Sequence, residues 1–462
     1  MSAGAGGRAP LDAAAAGVSR RLADFVVASR WEDVPAPVRH MAIRSIVNGF
    51  GTALGGSRDQ AVVRLMETLQ PFSSGATATV IGHRTRLDMP TAAFLNAVAV
   101  NVFDFDDTHE KTIIHPTATV LAALFAMAEQ APVSGEALLH AFVLGVEVAC
   151  RLGNAVSPGH YDRGYHITAT CGVFGAAAAV GKLIGLGPQE MLWALGNASA
   201  QASGLVETLG FMAKSVGVGN AARNGALAAL MARHGVEGPP CPLEGPRGFL
   251  NVMCDAPDAA ALEAGLGRDW QLARNMLKPY PCGVVLNPVI DAALAARADP
   301  AFSIDRIESI RVSGHPLLKA RADRPAVTSG REAQVSAQHA IAVSLVRGTA
   351  GAADFSDEAV SAAAVVALRA KVAGVDIDPA ASSIDAARLT IGLAGGSTID
   401  VRIAVATGSR EKPLSDQHVV AKFEALAAYG CPALEPGPLL AQLWRLDATS
   451  DAGAVMAAAR PL

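Results

Sequence analysis

The sequence predicts a mainly α protein with a smaller α+β part: a large all-helical domain formed by both chain ends and an inserted α+β domain. Three observations carry this. From about Leu22 to about Gly265, apolar residues recur at helical spacing between short Gly/Pro punctuation. After Trp270 the stripes give way to period-two patterns bounded by turn residues. From Asp416 onward helical spacing returns in Val419, Val420, Phe423 and Leu426. The expected boundaries are 1–270 and 409–462 for the helical domain and 271–408 for the insertion.

The elements follow in order. The N-terminal MSAGAGGRAPLDAAAAGVSRR has no leucine-rich core behind a basic start, so it reads as a short disordered leader running into a helix, and a cytoplasmic location is expected. Ser134 is a candidate N-cap for a helix in which Leu138, Leu139, Phe142, Val146 and Ala149 form one stripe. Glu147 and Arg151, four apart, can pair on it. A further helix starts near His166 and carries GVFGAAAAVGKLIGL, whose small side chains allow neighbouring backbones to come close. Beyond Trp270, Ile307 to Ser313 reads as a strand, and Arg331 to Arg347 and Asp357 to Lys371 read as helices. Leu389, Ile391 and Leu393 alternate with polar or small residues, Gly395-Gly396 turns the chain, and Ile399, Val401, Ile403 and Val405 alternate again, which predicts a β-hairpin. TGSREKPLSDQ is a polar connector.

Composition excludes several classes. With 51% hydrophobic and 17% charged residues in a chain of 462, the bulk is not disordered. Lys+Arg total 38 against 42 Asp+Glu, with no basic run, so no nucleic-acid partner is expected. Apolar stretches are interrupted by Asp104, Lys182 or glycine before reaching spanning length, so no membrane helix is expected. Six cysteines without a CxxC read as reduced, buried or half-buried thiols. Gly217-x-Gly219-x-x-Ala222 matches a loose dinucleotide fingerprint, but no convincing strand precedes it. Gly175-AAAAV-Gly181-Lys182-Leu183 has one residue too many for a phosphate loop, and a leucine where a magnesium-binding hydroxyl belongs.

The densest polar cluster in apolar surroundings is Asp104-Phe105-Asp106-Asp107-Thr108-His109, followed by His115-Pro116. Three carboxylates and two histidines between hydrophobic helices are costly to bury without a purpose. Their spacing matches no standard metal site, so no metal is expected. Lone polar residues stand in other apolar or glycine-rich contexts: His166 in RGYHITATCG, Lys214 in LGFMAKSVGVGN, and Lys278 with Tyr280 in MLKPYPCG. Together these supply cations for carboxylates and titratable groups for moving a proton.

On DFDDTHEKTIIHP, GYHITATCGVFGAAAAVGKLIGL, GFMAKSVGVGNAARNG, LEGPRGF and KPYPCG, in this order, the chain resembles the MmgE/PrpD family, which includes 2-methylcitrate dehydratase, cis-aconitate decarboxylase and iminodisuccinate epimerase. The resemblance implies a homodimer that works without an organic cofactor on a small polycarboxylate. It implies that Asp104, His115, His166, Lys214 and Lys278 are catalytic and that Thr108, Tyr280, Asn101, Asn287 and His339 bind substrate. Lysines beside a carboxylate would stabilise an enolate-like transition state, and a histidine would hold or release the proton. The chain departs from the family where histidine is common, at Asn101, Gly217 and Asn287, and has His339 where tyrosine is usual. The resulting expectation is a cofactor-independent, dehydratase-like lyase that abstracts a proton alpha to a carboxylate. An epimerase of an iminodisuccinate-like diacid and a decarboxylase of a cis-aconitate-like acid are the alternatives on the same scaffold, and an inactive metabolite-binding dimer is the non-enzyme alternative.

The departures generate a prediction. Asparagine cannot take up a proton near neutral pH, and an imidazole titrates where a phenol does not, so 2-methylcitrate should be a poor substrate beside a different, smaller di- or tricarboxylate. Steady-state rates on methylcitrate, cis-aconitate and iminodisuccinate check this. A methylcitrate kcat/KM of order 10⁴ M⁻¹s⁻¹ or more would refute it.

Overall fold

The computed structural model describes residues 16–461, so most of the expected leader lies outside the described residues. Contacts group the chain into two compact units: one runs up to Asn101, through Asp107–Asn275 and on from Gly430, and the other comprises Val102–Asp106 and Met276–Tyr429.

The first unit is built from helices, chiefly Ala36–Gly56, Met89–Asn101, Pro116–Ala128, Gly135–Val156, Ile167–Leu183, Pro188–Ser199 and Ala213–Arg233. A small antiparallel ribbon, Ala78–Thr79 with Arg86–Leu87, is an addition to the helical expectation. Ser134 caps Gly135–Val156, its side chain accepting from the Ala137 N–H. This helix is long and apolar enough by length and composition to cross a bilayer, contrary to the expectation that no stretch reaches that length. In the unit it is a core helix, with the Glu147–Arg151 pair at zero exposure on it.

Small residues let these helices meet backbone to backbone. A Cβ on Gly175 would lie 2.7 Å from the Gly145 carbonyl oxygen and 2.8 Å from the Ala149 Cβ, and one on Gly225 would lie 2.5 Å from the Ala176 Cβ. Gly175 and Lys182 therefore belong to a packed helix rather than a phosphate loop. Gly217 and Gly219 fall inside Ala213–Arg233, which removes the strand-to-helix turn that a dinucleotide site needs.

The second unit carries a four-stranded sheet. Ile307–Gly314 pairs antiparallel with Ala387–Leu393, which pairs antiparallel with Thr398–Ile403, and Asp376–Ile377 runs parallel to Ile307–Gly314 at the edge. The register sets Ile310 opposite Ile391 and Ile391 opposite Ile399, and Ala387, Leu389, Ile391 and Leu393 all point into the core. Gly395 and Gly396, at φ 90° and 82°, make the hairpin turn. The Asn287–Arg297 and Ala337–Arg347 helices belong to the same core through Val289, Ile290, Ile341 and Leu345. Two expected helices are broken. The 331–347 segment divides into Gly330–Ala333 and Ala337–Arg347 because Ser336 caps the second piece, accepting from the His339 N–H while donating to the Arg324 carbonyl. The 357–371 segment divides at Ala362, whose backbone is extended.

Contacts place the return to the first unit at Gly430, where the sequence pattern suggested 409. The Asp416–Gly430 helix, up to Tyr429, is tied to the second unit by its own side chains: Leu426 packs on Phe105 and Ala352, and the Tyr429 ring lies edge-on to Phe103 at 5.8 Å. All six cysteines are free thiols, five buried and Cys241 half-buried.

Gly175→Val should destabilise the chain by about 1–3 kcal/mol, because the atoms in its way are backbone and a short side chain that cannot swing aside. A lowered urea midpoint with unchanged slope is the expected result.

Candidate active site

In the first unit the predicted polar residues gather where helices begin. His115 immediately precedes Pro116–Ala128, His166 immediately precedes Ile167–Leu183, and Lys214 is the second residue of Ala213–Arg233. The partial positive charge of unsatisfied N–H groups at helix starts favours anions there. Two contacts make these starts neighbours, and a third ties a helix end to them. The His115 N–H donates to Thr168 Oγ1 (3.1 Å), two residues beyond His166. Gly217, in the Lys214 turn, is close enough to Ala169 that a Cβ there would sit at 3.4 Å. The Ser215 hydroxyl donates to Asn101 Oδ1 (3.1 Å), joining the end of Met89–Asn101 to the Lys214 turn. His115 and His166 are buried and Lys214 is half-buried. Thr108 is buried too, and its hydroxyl has no hydrogen-bond partner among the described residues.

The His115 ring is oriented by the acidic motif. Its Nδ1 lies 2.7 Å from the Asp107 carbonyl oxygen. A carbonyl only accepts, so Nδ1 carries the proton and donates it there. Asp107 is fixed in turn: its carboxylate accepts from the Thr117 hydroxyl and N–H and from the Asn275 amide (2.5 Å). It is therefore a structural carboxylate at the start of Pro116–Ala128. The intervening loop is closed by His109 N–H to the Ile114 carbonyl (2.8 Å) and Ile113 N–H to the His109 carbonyl (3.0 Å). Ile113 is held at φ 56°, a left-handed conformation that β-branched residues avoid. His109 donates to or accepts from Thr112 Oγ1 (2.9 Å), and burial pushes its imidazole down to about 4.

In the second unit Lys278, with 3% of its side chain exposed, meets Asp104 twice: Nζ lies 2.9 Å from Oδ2 and 3.0 Å from the main-chain oxygen. Asp104 has φ 52°, tolerated because a short acidic side chain accepts the left-handed region better than most. Tyr280 donates its hydroxyl to Asp291 Oδ1 (2.6 Å), and Asp291 Oδ2 accepts from the Thr407 N–H. Burial and that carboxylate push the phenol well above its ordinary range, so Tyr280 is a fixed neutral brace. Asn287 opens the Asn287–Arg297 helix, buried, its Oδ1 without a hydrogen-bond partner among the described residues.

His339 corrects an expectation. Its Nε2 lies 2.9 Å from the Asp354 carbonyl, its ring packs edge-on to Phe355, and it is fully buried. Burial pulls its pKa below the ordinary value, so it stays neutral where an exposed imidazole would titrate.

The MmgE/PrpD N-terminal domain model matches residues 20–261, and the C-terminal domain model matches 280–435. The chain belongs to the MmgE/PrpD family. Its curated relatives include the cis-aconitate decarboxylase of Aspergillus terreus, 29% identical over 443 residues that cover 90% of each protein. The cis-aconitate decarboxylase of Mus musculus is 30% identical over 404 residues, covering 83% of this chain and 81% of that protein. The Homo sapiens protein of the same name is 29% identical over 405 residues, covering 83% and 82%.

Several residues that shape these clusters, each within its own unit of this MmgE/PrpD protein, were not singled out from sequence. Thr168, Ser215 and Asn275 are short polar residues whose partners are remote in the chain. His160 braces the turn before His166: its Nδ1 donates to the Met253 carbonyl, its Nε2 accepts from Thr170, and its ring stacks on Tyr165 at 4.8 Å. Burial holds it at about 4. Lys422 reaches the main chain around both Asp104 and Lys278.

The depressed histidines fix a pH dependence. His109 and His160 have folded values of about 4 against 6.5 for the free side chain. Between those values the unfolded chain binds more protons, so stability rises with pH; the contribution is complete above 6.5 and is lost as pH falls toward about 4. Urea midpoints should therefore be lower at about pH 5 than at about pH 7.5, and His160→Asn should flatten the difference.

Proposed function

We propose that the protein is a lyase acting on a small di- or tricarboxylate, without an organic cofactor or metal and as a homodimer, and that an acid of the cis-aconitate type is its first candidate substrate. The observation that carries this reading is the His115 imidazole, held as the Nδ1–H tautomer among three helix starts and next in space to the turns bearing His166 and Lys214. Full-length similarity to proteins named cis-aconitate decarboxylase supports the substrate class.

For decarboxylation, the bond from carbon to one carboxylate breaks, carbon dioxide leaves, and the electron pair spreads through the neighbouring double bond toward a remaining carboxylate. A protonated imidazole, of His115 or His166, then delivers a proton to the allylic carbon, giving an unsaturated diacid. Lys214 and Lys278 are assigned to the carboxylates that keep or gain charge. Dehydration is the second reading: the imidazole of His115 or His166 removes the proton alpha to a carboxylate, a carbon–carbon double bond forms, and the β-hydroxyl takes a proton back from that imidazolium and leaves as water.

Proton NMR in deuterium oxide with cis-aconitate, 2-methylcitrate and iminodisuccinate separates the outcomes. New vinyl signals with loss of carbon dioxide support decarboxylation, vinyl signals without it support dehydration, and exchange at carbon alone indicates epimerisation. With the substrate so found, His115→Ala should lower the rate by roughly 10²–10⁴-fold. Lys214→Ala and Lys278→Ala should lower kcat as well as kcat/KM, because the charge they meet grows in the transition state. Near-normal turnover in both lysine variants would overturn the assignment.

A further inference from the structure

The Val102–Asp106 segment belongs to no helix or strand, yet three consecutive carbonyls in it are bound by lysines. Lys278 Nζ donates to the Asp104 carbonyl (3.0 Å), Lys422 Nζ to the Phe105 carbonyl (2.5 Å), and the Lys278 N–H to the Asp106 carbonyl (3.2 Å). Lys422 Nζ also donates to the carbonyl of Lys278 itself (2.8 Å). Its ammonium stands 3.8 Å from the centroid of the Phe105 ring, and that ring packs on Leu426, one helical turn further along the Asp416–Gly430 helix.

We propose that Lys422 is a positioning residue that sets where the Lys278 ammonium and the Asp104 carboxylate stand. This rests on the reading of Lys278 as a carboxylate-binding group. Lys422 closes a ring of hydrogen bonds through the two segments that carry the ion pair. Its acceptors are the carbonyl of Phe105, the residue after Asp104, and the carbonyl of Lys278, so a shift of either segment strains a bond to the other. The Lys278–Asp104 contact alone leaves that geometry open, because a long side chain can follow its partner through many rotamers. The cation over the Phe105 face adds attraction in a half-buried setting. Lysine suits the position because its flexible stem and compact head bring several donors to carbonyls that do not lie in one plane.

The test uses the full chain with Lys422→Met, which keeps the stem and removes charge and donors, and with Lys422→Arg. Amide hydrogen exchange is followed over 102–106 and 276–280, alongside thermal unfolding and steady-state kinetics on whichever acid is turned over. The expected result for the Met variant is faster exchange in both segments and a kcat about 10–100-fold lower, with KM changed by less than kcat. Lys422→Arg should recover part of both. Unchanged exchange, with kcat and KM within about twofold of the parent, overturns the proposal. If the parent turns over no acid, the proposed function fails while exchange still decides the role of Lys422. If Lys422→Met does not fold, Lys422→Gln takes its place with the same expected directions, and unchanged exchange and kinetics there overturn the proposal equally.

Discussion

The helical unit depends on a seam of buried polar groups that starts at Arg151. Arg151 is fully buried and pairs through Nε with Glu147 (2.6 Å), while its outer nitrogens donate to the carbonyls of Leu262, Ala264 and Asp269. The other Glu147 oxygen accepts from the Gln271 N–H (2.7 Å). Burial pushes the Glu147 carboxyl upward, and the guanidinium and that N–H oppose it. The segment it holds, roughly 261–274, has only short 3-10 turns, so its carbonyls need partners from elsewhere. The seam continues as Asn275 donates to Asp107 and Asp107 supplies the carbonyl that orients His115. The Glu147–Arg151 ion pair and the carbonyl that orients the His115 ring thus lie on one buried polar seam. Deleting one partner of such a pair typically costs about 3–5 kcal/mol, because it strands the other charge.

Periodicity and local chemistry made much of this legible in the sequence. The Ser134 cap, the Glu147–Arg151 spacing and the Gly395-Gly396 hairpin are short-range facts, and each appears in the fold as read. The same logic removed the two nucleotide motifs, since Gly175 and Gly219 only needed their helical context to be explained. The residues left illegible act at long range. Lys422 lies in a stripe of Val419, Val420, Phe423 and Leu426, where an isolated lysine looks like an ordinary surface position, and its acceptors are main-chain atoms that carry no side-chain signature. Ala362 breaks a helix without a side-chain cap, the adjacent Ser361 hydroxyl donating back to the Asp357 and Glu358 carbonyls instead. His339 reads as titratable until its burial and its bond to the Asp354 carbonyl are known.

Asp104 and Ile113, the non-glycine residues with positive φ among the described residues, both lie within the acidic motif and its loop. Each such backbone costs of order 1–3 kcal/mol and persists only where the surroundings over-determine it. Here the surroundings are explicit. Two bonds from Lys278 hold Asp104, and crossed main-chain bonds to His109 and Ile114 hold the turn around Ile113.

The five residues Val102–Asp106 also bear on how the chain is made. They leave the ribosome inside a run of helices, but the groups that complete them come much later: Lys278 follows Asp104 by 174 positions, and Lys422 follows Phe105 by 317. At ordinary elongation rates the second interval lasts roughly 15–60 s, during which an aromatic ring and a carboxylate wait for partners not yet synthesised. The nascent chain therefore passes through a stage with a sticky, uncompensated loop, which is the kind of surface that holding chaperones recognise.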